Sequence, residues 1–313
     1  MRSTTMKGRG RRTADGALER LLEDLPVQER TAELAGIPTA ILEGGEGRPI
    51  VMLHGPGEFA AKWLRVIPEL VKSHRVIAPD LPGHGRSGVP EGELDASRVF
   101  AWLGDLIDRA GPRAPILVGH VLGGAIAARF AVSHGERIEH LVLVDSLGLA
   151  PFRPSPRFAL GMIHFLARPS ERTYARFMHQ CSYDLDALQS EMGELWREFV
   201  AYNLDRIRTP SVKNTVRTFM RQIGLPPIPA EDLARITAPT ALIWGRHDRA
   251  NKLRIAEAAS ARHGWPLHVI EDCADDPPRD KPQEFLEALG KAIRTAPAPA
   301  AEARSSAKEA PWK

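Results

Sequence analysis

The chain has 313 residues, 43% of them hydrophobic and 26% charged, with a formal net charge of +3. These proportions are near the average for folded globular proteins and exclude a wholly disordered chain, a collagen-like fibre and a coiled coil. Cys181 and Cys273 are too few for a disulfide framework, and no Cys/His run has zinc spacing, so a reducing, cytoplasmic setting is expected.

Charge is concentrated at the ends. Arg2, Lys7, Arg9, Arg11 and Arg12 put +5 into residues 1–13, and residues 295–313 add +1, which leaves the stretch between them at about −3. Residues 1–13 are therefore expected to form a basic disordered arm rather than mark a nucleic-acid-binding body, and no nucleic-acid partner is expected. No apolar run reaches the 18 residues of a membrane span, and the start lacks a signal-peptide core.

From there on, short apolar runs alternate with amphipathic stretches, the pattern of an α/β fold with a doubly wound, mostly parallel sheet. Strands are expected at Thr39–Leu42, Ile50–Leu53 and Val76–Ala78. A helix starting near Asp95 carries Val99, Trp102, Leu103, Leu106 and Ile107 on one face. A strand at Ile116–Val118, an alanine-rich helix at Ala125–Ala131 and a strand at Leu141–Val144 follow. The stretch between Val144 and Ala241 is far too long for one crossover and has helical periodicity, with Phe158, Leu160, Met162, Ile163, Phe165 and Leu166, then Tyr174, Phe177, Trp196 and Phe199.

An inserted helical cap domain over residues 148–232 is therefore expected above the carboxyl ends of the strands, its aromatics forming either its own core or a pocket lining. Strands at Ala241–Trp244 and Leu267–Ile270 complete a core made of residues 14–147 and 233–294, and residues 295–313 read as a disordered Pro/Ala-rich tail.

Four ordered segments carry a resemblance. The first is His54-Gly55-Pro56-Gly57 after a strand, with Trp63 in the following helix, and the second is Asp80-Leu81-Pro82-Gly83-His84-Gly85-Arg86-Ser87. The third is Gly119-His120-Val121-Leu122-Gly123-Gly124 at a strand-to-helix turn. The fourth comprises Pro239 to Asp248 and a closing stretch from Ala274 through Asp275, Asp276, Pro277, Asp280 and Pro282 to Phe285. From about Thr31 to Ile293 the chain resembles the α/β-hydrolase fold family, and within it a capped, epoxide-hydrolase- or esterase-like subgroup.

The resemblance implies positions for a nucleophile, an acid and a base, and the residues found there depart from the family pattern. Val121 occupies the centre of the nucleophile elbow, where the family carries Ser, Cys or Asp. Asp248 falls where the triad acid belongs, and Asp275 stands in place of the histidine base. The resemblance also assigns one oxyanion donor to the residue after His-Gly; here it is Pro56, which has no N–H, leaving the N–H of Leu122.

What remains around the expected pocket is His54, Glu58, His120, Asp145, Ser146, His247, Asp248, Asp275 and Asp276. Asp248 facing Asp275 under a cap would share a proton and form an acid–base dyad, with Asp275 pointing to water or capping the next turn as the plainer alternative. His120 lies beneath the elbow, either as a satisfied structural histidine or as a proton carrier. His54 and His84 are expected to tie neighbouring loops together. The candidate catalytic residues are thus Asp248, Asp275 and His120, and the candidate binding residues His54, Gly55, Pro56, Glu58, Val121, Leu122 and Ser146, with no metal and no cofactor. The sequence leans towards a divergent enzyme that acts non-covalently, as a lyase, isomerase, cyclase or atypical hydrolase, on a small, mostly apolar substrate. The alternative is a non-catalytic pseudo-hydrolase that binds a small ligand or a partner. Oligomeric state is not legible in the sequence.

Overall fold

The computed structural model describes residues 14–89 and 94–294; the expected arm at 1–13 and tail at 295–313 lie outside the described residues. Eight strands form one sheet: β1 (Gln28–Leu34), β2 (Ile37–Gly44), β3 (Arg48–Leu53), β4 (His74–Pro79), β5 (Ile116–His120), β6 (His140–Val144), β7 (Thr240–Gly245) and β8 (Leu267–Ile270). Their order is β1-β2-β4-β3-β5-β6-β7-β8, with β1 antiparallel to β2, β2 antiparallel to β4, and every other pair parallel. This is an α/β-hydrolase fold.

Successive side chains of a strand point to opposite faces, and the central strands are apolar on both because helices cover both. Ile50 and Met52 of β3, Ile116 and Val118 of β5, Val142 and Val144 of β6, and Ala241 and Ile243 of β7 feed one core. Val51, Leu53, Leu117, Leu141, Leu143, Leu242 and Trp244 feed the other. The helix Ala96–Arg109 covers the second face with Val99, Trp102, Leu103, Leu106 and Ile107; it starts where the Asp95 carboxylate accepts the Arg98 N–H at 2.8 Å.

The expected strand at Thr39–Leu42 is longer, and β1 was not foreseen. It is an edge strand on which only Ala32 and Leu34 are buried, so its charged positions conceal the alternation.

Between β6 and β7 the chain builds helices at Pro156–Ala167, Glu171–Cys181, Leu185–Met192, Glu194–Arg208 and Pro210–Phe219, followed by a wide turn at Met220–Gly224. Their starts are set locally. Ser155 accepts from the Phe158 N–H, Ser170 and Thr173 cap each other, and Asp184 accepts from the Ala187 N–H. The first two helices interlock through Phe158, Phe165, Tyr174 and Phe177, with Phe165 stacked on Phe177 at 5.7 Å.

Candidate active site

β5 runs into the helix Leu122–His134 through Val121, whose backbone lies at φ 47°, ψ −103°. A β-branched residue at positive φ is a genuine outlier, and this one is held from both sides. Its N–H donates to Val144 O at 3.0 Å, its carbonyl accepts from Leu147 and Ala125, and the Gly123 N–H donates to His54 O at 3.1 Å. Glycine is required around the turn because the backbones nearly touch. A Cβ on Gly119 would fall 2.4 Å from Gly123 O, one on Gly123 would fall 2.3 Å from Leu53 O, and one on Gly124 would fall 2.3 Å from Ser146 Oγ.

Val121 faces a cavity of ≈ 200 Å³. Most of its wall comes from the helices between β6 and β7, including Phe158, Phe165, Tyr174, Phe177, Met178 and Phe199. One end is polar, where Glu58, His120, Asp275, Asp276 and Arg279 converge with Pro56.

Beneath that polar end lies a charge network that sequence reasoning did not find. Lys62, 1% exposed, places its ammonium 2.5 Å from His120 Nδ1, 3.1 Å from Asp276 Oδ1 and 3.5 Å from Glu58 Oε2, with the Trp63 ring centroid at 4.6 Å. Arg279, also buried, pairs with Asp276 Oδ2 at 3.0 Å. Two cations thus neutralise Glu58 and Asp276, the condition for keeping such charges out of water. Burial pushes the Glu58 carboxyl up, but its cationic surroundings, the Lys62 ammonium foremost, outweigh it and hold Glu58 well below the ordinary carboxylate range. Glu58 and Lys62 stand four residues apart in an otherwise apolar stretch, and that spacing was the available signal.

The network also fixes a tautomer. The Lys62 ammonium can only donate, so Nδ1 of His120 accepts, and Nε2–H donates to the Asp275 carbonyl at 2.7 Å. The same loop is latched from the other side by the Asp275 N–H donating to Cys181 O at 3.3 Å. The Cys181 thiol, hydrogen-bonded to the Asp275 side chain, is pushed well up, chiefly by burial, so it stays a thiol.

Asp275 is 8% exposed and neither points to water nor pairs with a cation. Burial, then the charges of Asp248 and Asp276, push its carboxyl well above the ordinary range, in favour of its protonated form. The expected proton-sharing pair of Asp248 and Asp275 is not what forms: the side-chain partner of Asp248 is Asp145, at the end of β6. Asp248 Oδ1 accepts the Ala250 and Asn251 N–H groups at 2.6 and 2.8 Å, and Asp145 Oδ1 accepts the Gly245 N–H at 3.0 Å. Their remaining oxygens have no other partner, and one proton shared between the two carboxyls satisfies both. Asp145 holds it, because burial and the neighbouring Asp248 charge raise Asp145 strongly, whereas burial lifts Asp248 only to about 7 against the pull of its N–H donors.

Of the residues singled out in the sequence, the structure brings Pro56, Glu58, His120, Val121 and Asp275 to the cavity wall. Asp248, His54, Gly55, Leu122 and Ser146 are not among the residues lining it, and each is occupied elsewhere. His54 donates from Nδ1 to Gly55 O and accepts the Leu81 N–H at Nε2, and burial lowers its pKa to about 3, so it ties two loops as a neutral ring. Ser146 donates to Leu147 O, the Gly55 N–H donates to Glu58, and Leu122 lies in the core behind the sheet. His84 donates to Pro82 O. Among the described residues, no three His, Cys, Asp or Glu side chains gather in a way that could hold a metal ion.

A parallel sheet that ends in a strained strand-to-helix turn beneath a cavity defines the α/β-hydrolase class. The chain belongs to the alpha/beta hydrolase family, whose sequence pattern its residues 50–288 match. It is 28% identical over 260 residues to the 2-hydroxy-6-oxo-6-phenylhexa-2,4-dienoate hydrolase of Comamonas testosteroni, covering 78% of this chain and 86% of that protein. A 36% identical stretch of 125 residues aligns with the 2-hydroxy-6-oxo-6-(2'-aminophenyl)hexa-2,4-dienoic acid hydrolase of Metapseudomonas resinovorans; it covers 39% of this chain and 43% of that protein, under half its length. The solved 2-hydroxy-6-oxo-6-phenylhexa-2,4-dienoate hydrolase of Rhodococcus sp. strain RHA1 superposes with a TM-score of 0.75 at 24% identity, covering 87% of this chain and all of that one. Naproxen esterase from Bacillus subtilis does so with the same score at 16% identity, covering 89% and 96%. At such identities the structural likeness speaks for the fold alone.

Proposed function

We propose that this protein is an enzyme that moves a proton within a small, mostly apolar substrate and forms no covalent intermediate, the inserted helices acting as a cap. The observation that carries this reading is the buried Asp275 carboxyl, its pKa raised, on the wall of an apolar cavity beside Val121. A hydrocarbon at the elbow has no lone pair with which to attack, so chemistry at this end of the cavity falls to an acid that can give up a proton and take one back. Asp275 protonates an oxygen of the bound molecule as negative charge develops there. The carboxylate left behind accepts the proton of an adjacent carbon, so one group carries out both halves of an isomerisation or an elimination. His120 touches this reaction as a positioning residue: its Nε2–H holds the Asp275 peptide, and its other nitrogen is committed to Lys62.

Three of the proteins named above are, by name, hydrolases of 2-hydroxy-6-oxo-dienoates, molecules with an enol oxygen and a ketone. A ketone or enol on an aromatic or aliphatic body suits this cavity, with the oxygen at the Asp275 end and the body among Phe158, Phe165, Phe177 and Phe199.

Hydrogen–deuterium exchange tests this without knowledge of the natural substrate. Small aryl and alkyl ketones are incubated with the protein in D2O and exchange alpha to the carbonyl is followed by NMR. The expected result is exchange of at least one of them that is accelerated by the natural protein and lost in Asp275→Asn. Saturable binding of the same ketones with no exchange above background would favour a ligand-binding pseudo-hydrolase.

A further inference from the structure

The helix Pro156–Ala167 is apolar on both sides. Phe158 and Phe165 face inward, whereas Leu160 and Ile163, on the opposite side, are 55% and 57% exposed. Large apolar side chains left exposed opposite the buried side of a helix call for cover there. Leu166, 44% exposed, also lines the cavity, so the bare stripe is continuous with the cavity wall.

The surroundings of that stripe say what covers it. Arg153, Arg157, Arg168, Arg172 and Arg176 are all exposed, and none has a side-chain partner among the described residues. Arg172 and Arg176 stand one turn apart on Glu171–Cys181, on the side opposite the buried Tyr174 and Met178. Glu171 is the only acid between residues 151 and 183. A second copy of the chain would set these five arginines against five more, which opposes self-association. A nucleic acid would suit the arginines and leave the leucine and isoleucine bare. An exposed apolar stripe flanked by unpaired arginines is complementary to an anionic lipid surface, where the side chains enter the acyl boundary and the guanidinium groups meet phosphates.

We propose that this face docks peripherally on anionic membranes and turns the cavity mouth at Leu166 towards the lipid, so that apolar ligands pass between bilayer and cavity. The proposal is independent of the chemistry assigned to Asp275. Its test is co-sedimentation of the full chain with phosphatidylcholine vesicles, with and without phosphatidylglycerol. The expected result is binding only to vesicles that contain phosphatidylglycerol, weakened by salt. Arg172→Gln and Arg176→Gln should each weaken it about fivefold. Leu160→Ser with Ile163→Ser should weaken it at least about tenfold, with circular dichroism unchanged in every variant. Binding that ignores phosphatidylglycerol, no binding at all, or full binding by the Leu160→Ser, Ile163→Ser double variant would overturn the proposal. So would a dimer in light scattering that this double variant converts to monomer, since a second copy would then be the cover.

Discussion

Replacing Lys62 by methionine removes one charge from the buried network and keeps most of the side-chain volume. The ammonium lies 3.1 Å from Asp276 and 3.5 Å from Glu58, and the Lys62 and Asp276 side chains are 0% and 2% exposed. Breaking such a pair from one side costs about 3–5 kcal/mol, because the abandoned carboxylate keeps its desolvation penalty. A domain of ordinary stability has about 5–15 kcal/mol in total, so the melting temperature should fall by on the order of 10 °C. Asp276→Asn is destabilising for the mirror-image reason. The double variant Lys62→Met, Asp276→Asn should cost less than the two single costs added, by on the order of 2 kcal/mol in urea titrations.

Acidity adds a sign. Glu58 is held below its ordinary value of 4.5, so it stabilises the fold above that pH and the gain is lost as the pH falls. Without Lys62 that gain is smaller, so the gap between the natural protein and Lys62→Met should be widest near neutral pH and narrow on acidification. A single-variant cost below about 1 kcal/mol, or strictly additive variants, would refute the network as a buried, mutually compensated set of charges.

Three further outcomes follow from the same geometry. Gly123→Ala should destabilise by more than about 3 kcal/mol or fail to yield soluble protein, since its Cβ would meet Leu53 O at 2.3 Å; a melting temperature close to that of the natural protein would show that the turn can open. Asp248, raised by burial to about 7 from 3.8, contributes stability that is fully present below its ordinary value and lost as the pH rises through about 7. Between pH 5 and 7 the natural protein should therefore lose on the order of 2–3 kcal/mol relative to Asp248→Asn in urea melts, and parallel pH curves would count against this. Val121→Ser should remain unlabelled by a fluorophosphonate, because both nitrogens of the nearby His120 are engaged. Val121→Ser with Asp275→His should become labelled, while labelling of the natural protein would restore ordinary acyl transfer.

Much of the scaffold could be read without coordinates. Seven of the eight strands stand out because the central strands are buried on both faces and read as unbroken apolar runs, such as Ile50–Leu53 and Leu141–Val144. The exception, Gln28–Leu34, hides because an edge strand exposes most of its side chains. The elbow was legible from Gly119, Gly123 and Gly124, whose missing side chains are a steric requirement that sequence records directly.

The polar end of the cavity was only half legible. Motif positions pointed to Val121 and Asp275, yet the proton shared by Asp145 and Asp248 depends on how the ends of β6 and β7 lie side by side, which no spacing states. Lys62 and Arg279 escaped notice for the opposite reason: a lone basic residue is usually a solvated one, and only the fold shows that these two are sealed in.

The protonation state of Asp275 at neutral pH tests the account most directly. The infrared difference spectrum between the natural protein and Asp275→Asn isolates that one carboxyl. At pH 7 it should show the loss of a protonated carboxyl C=O stretch. Loss of the symmetric and antisymmetric carboxylate bands instead would mean that Asp275 is ionised and cannot be the proton donor.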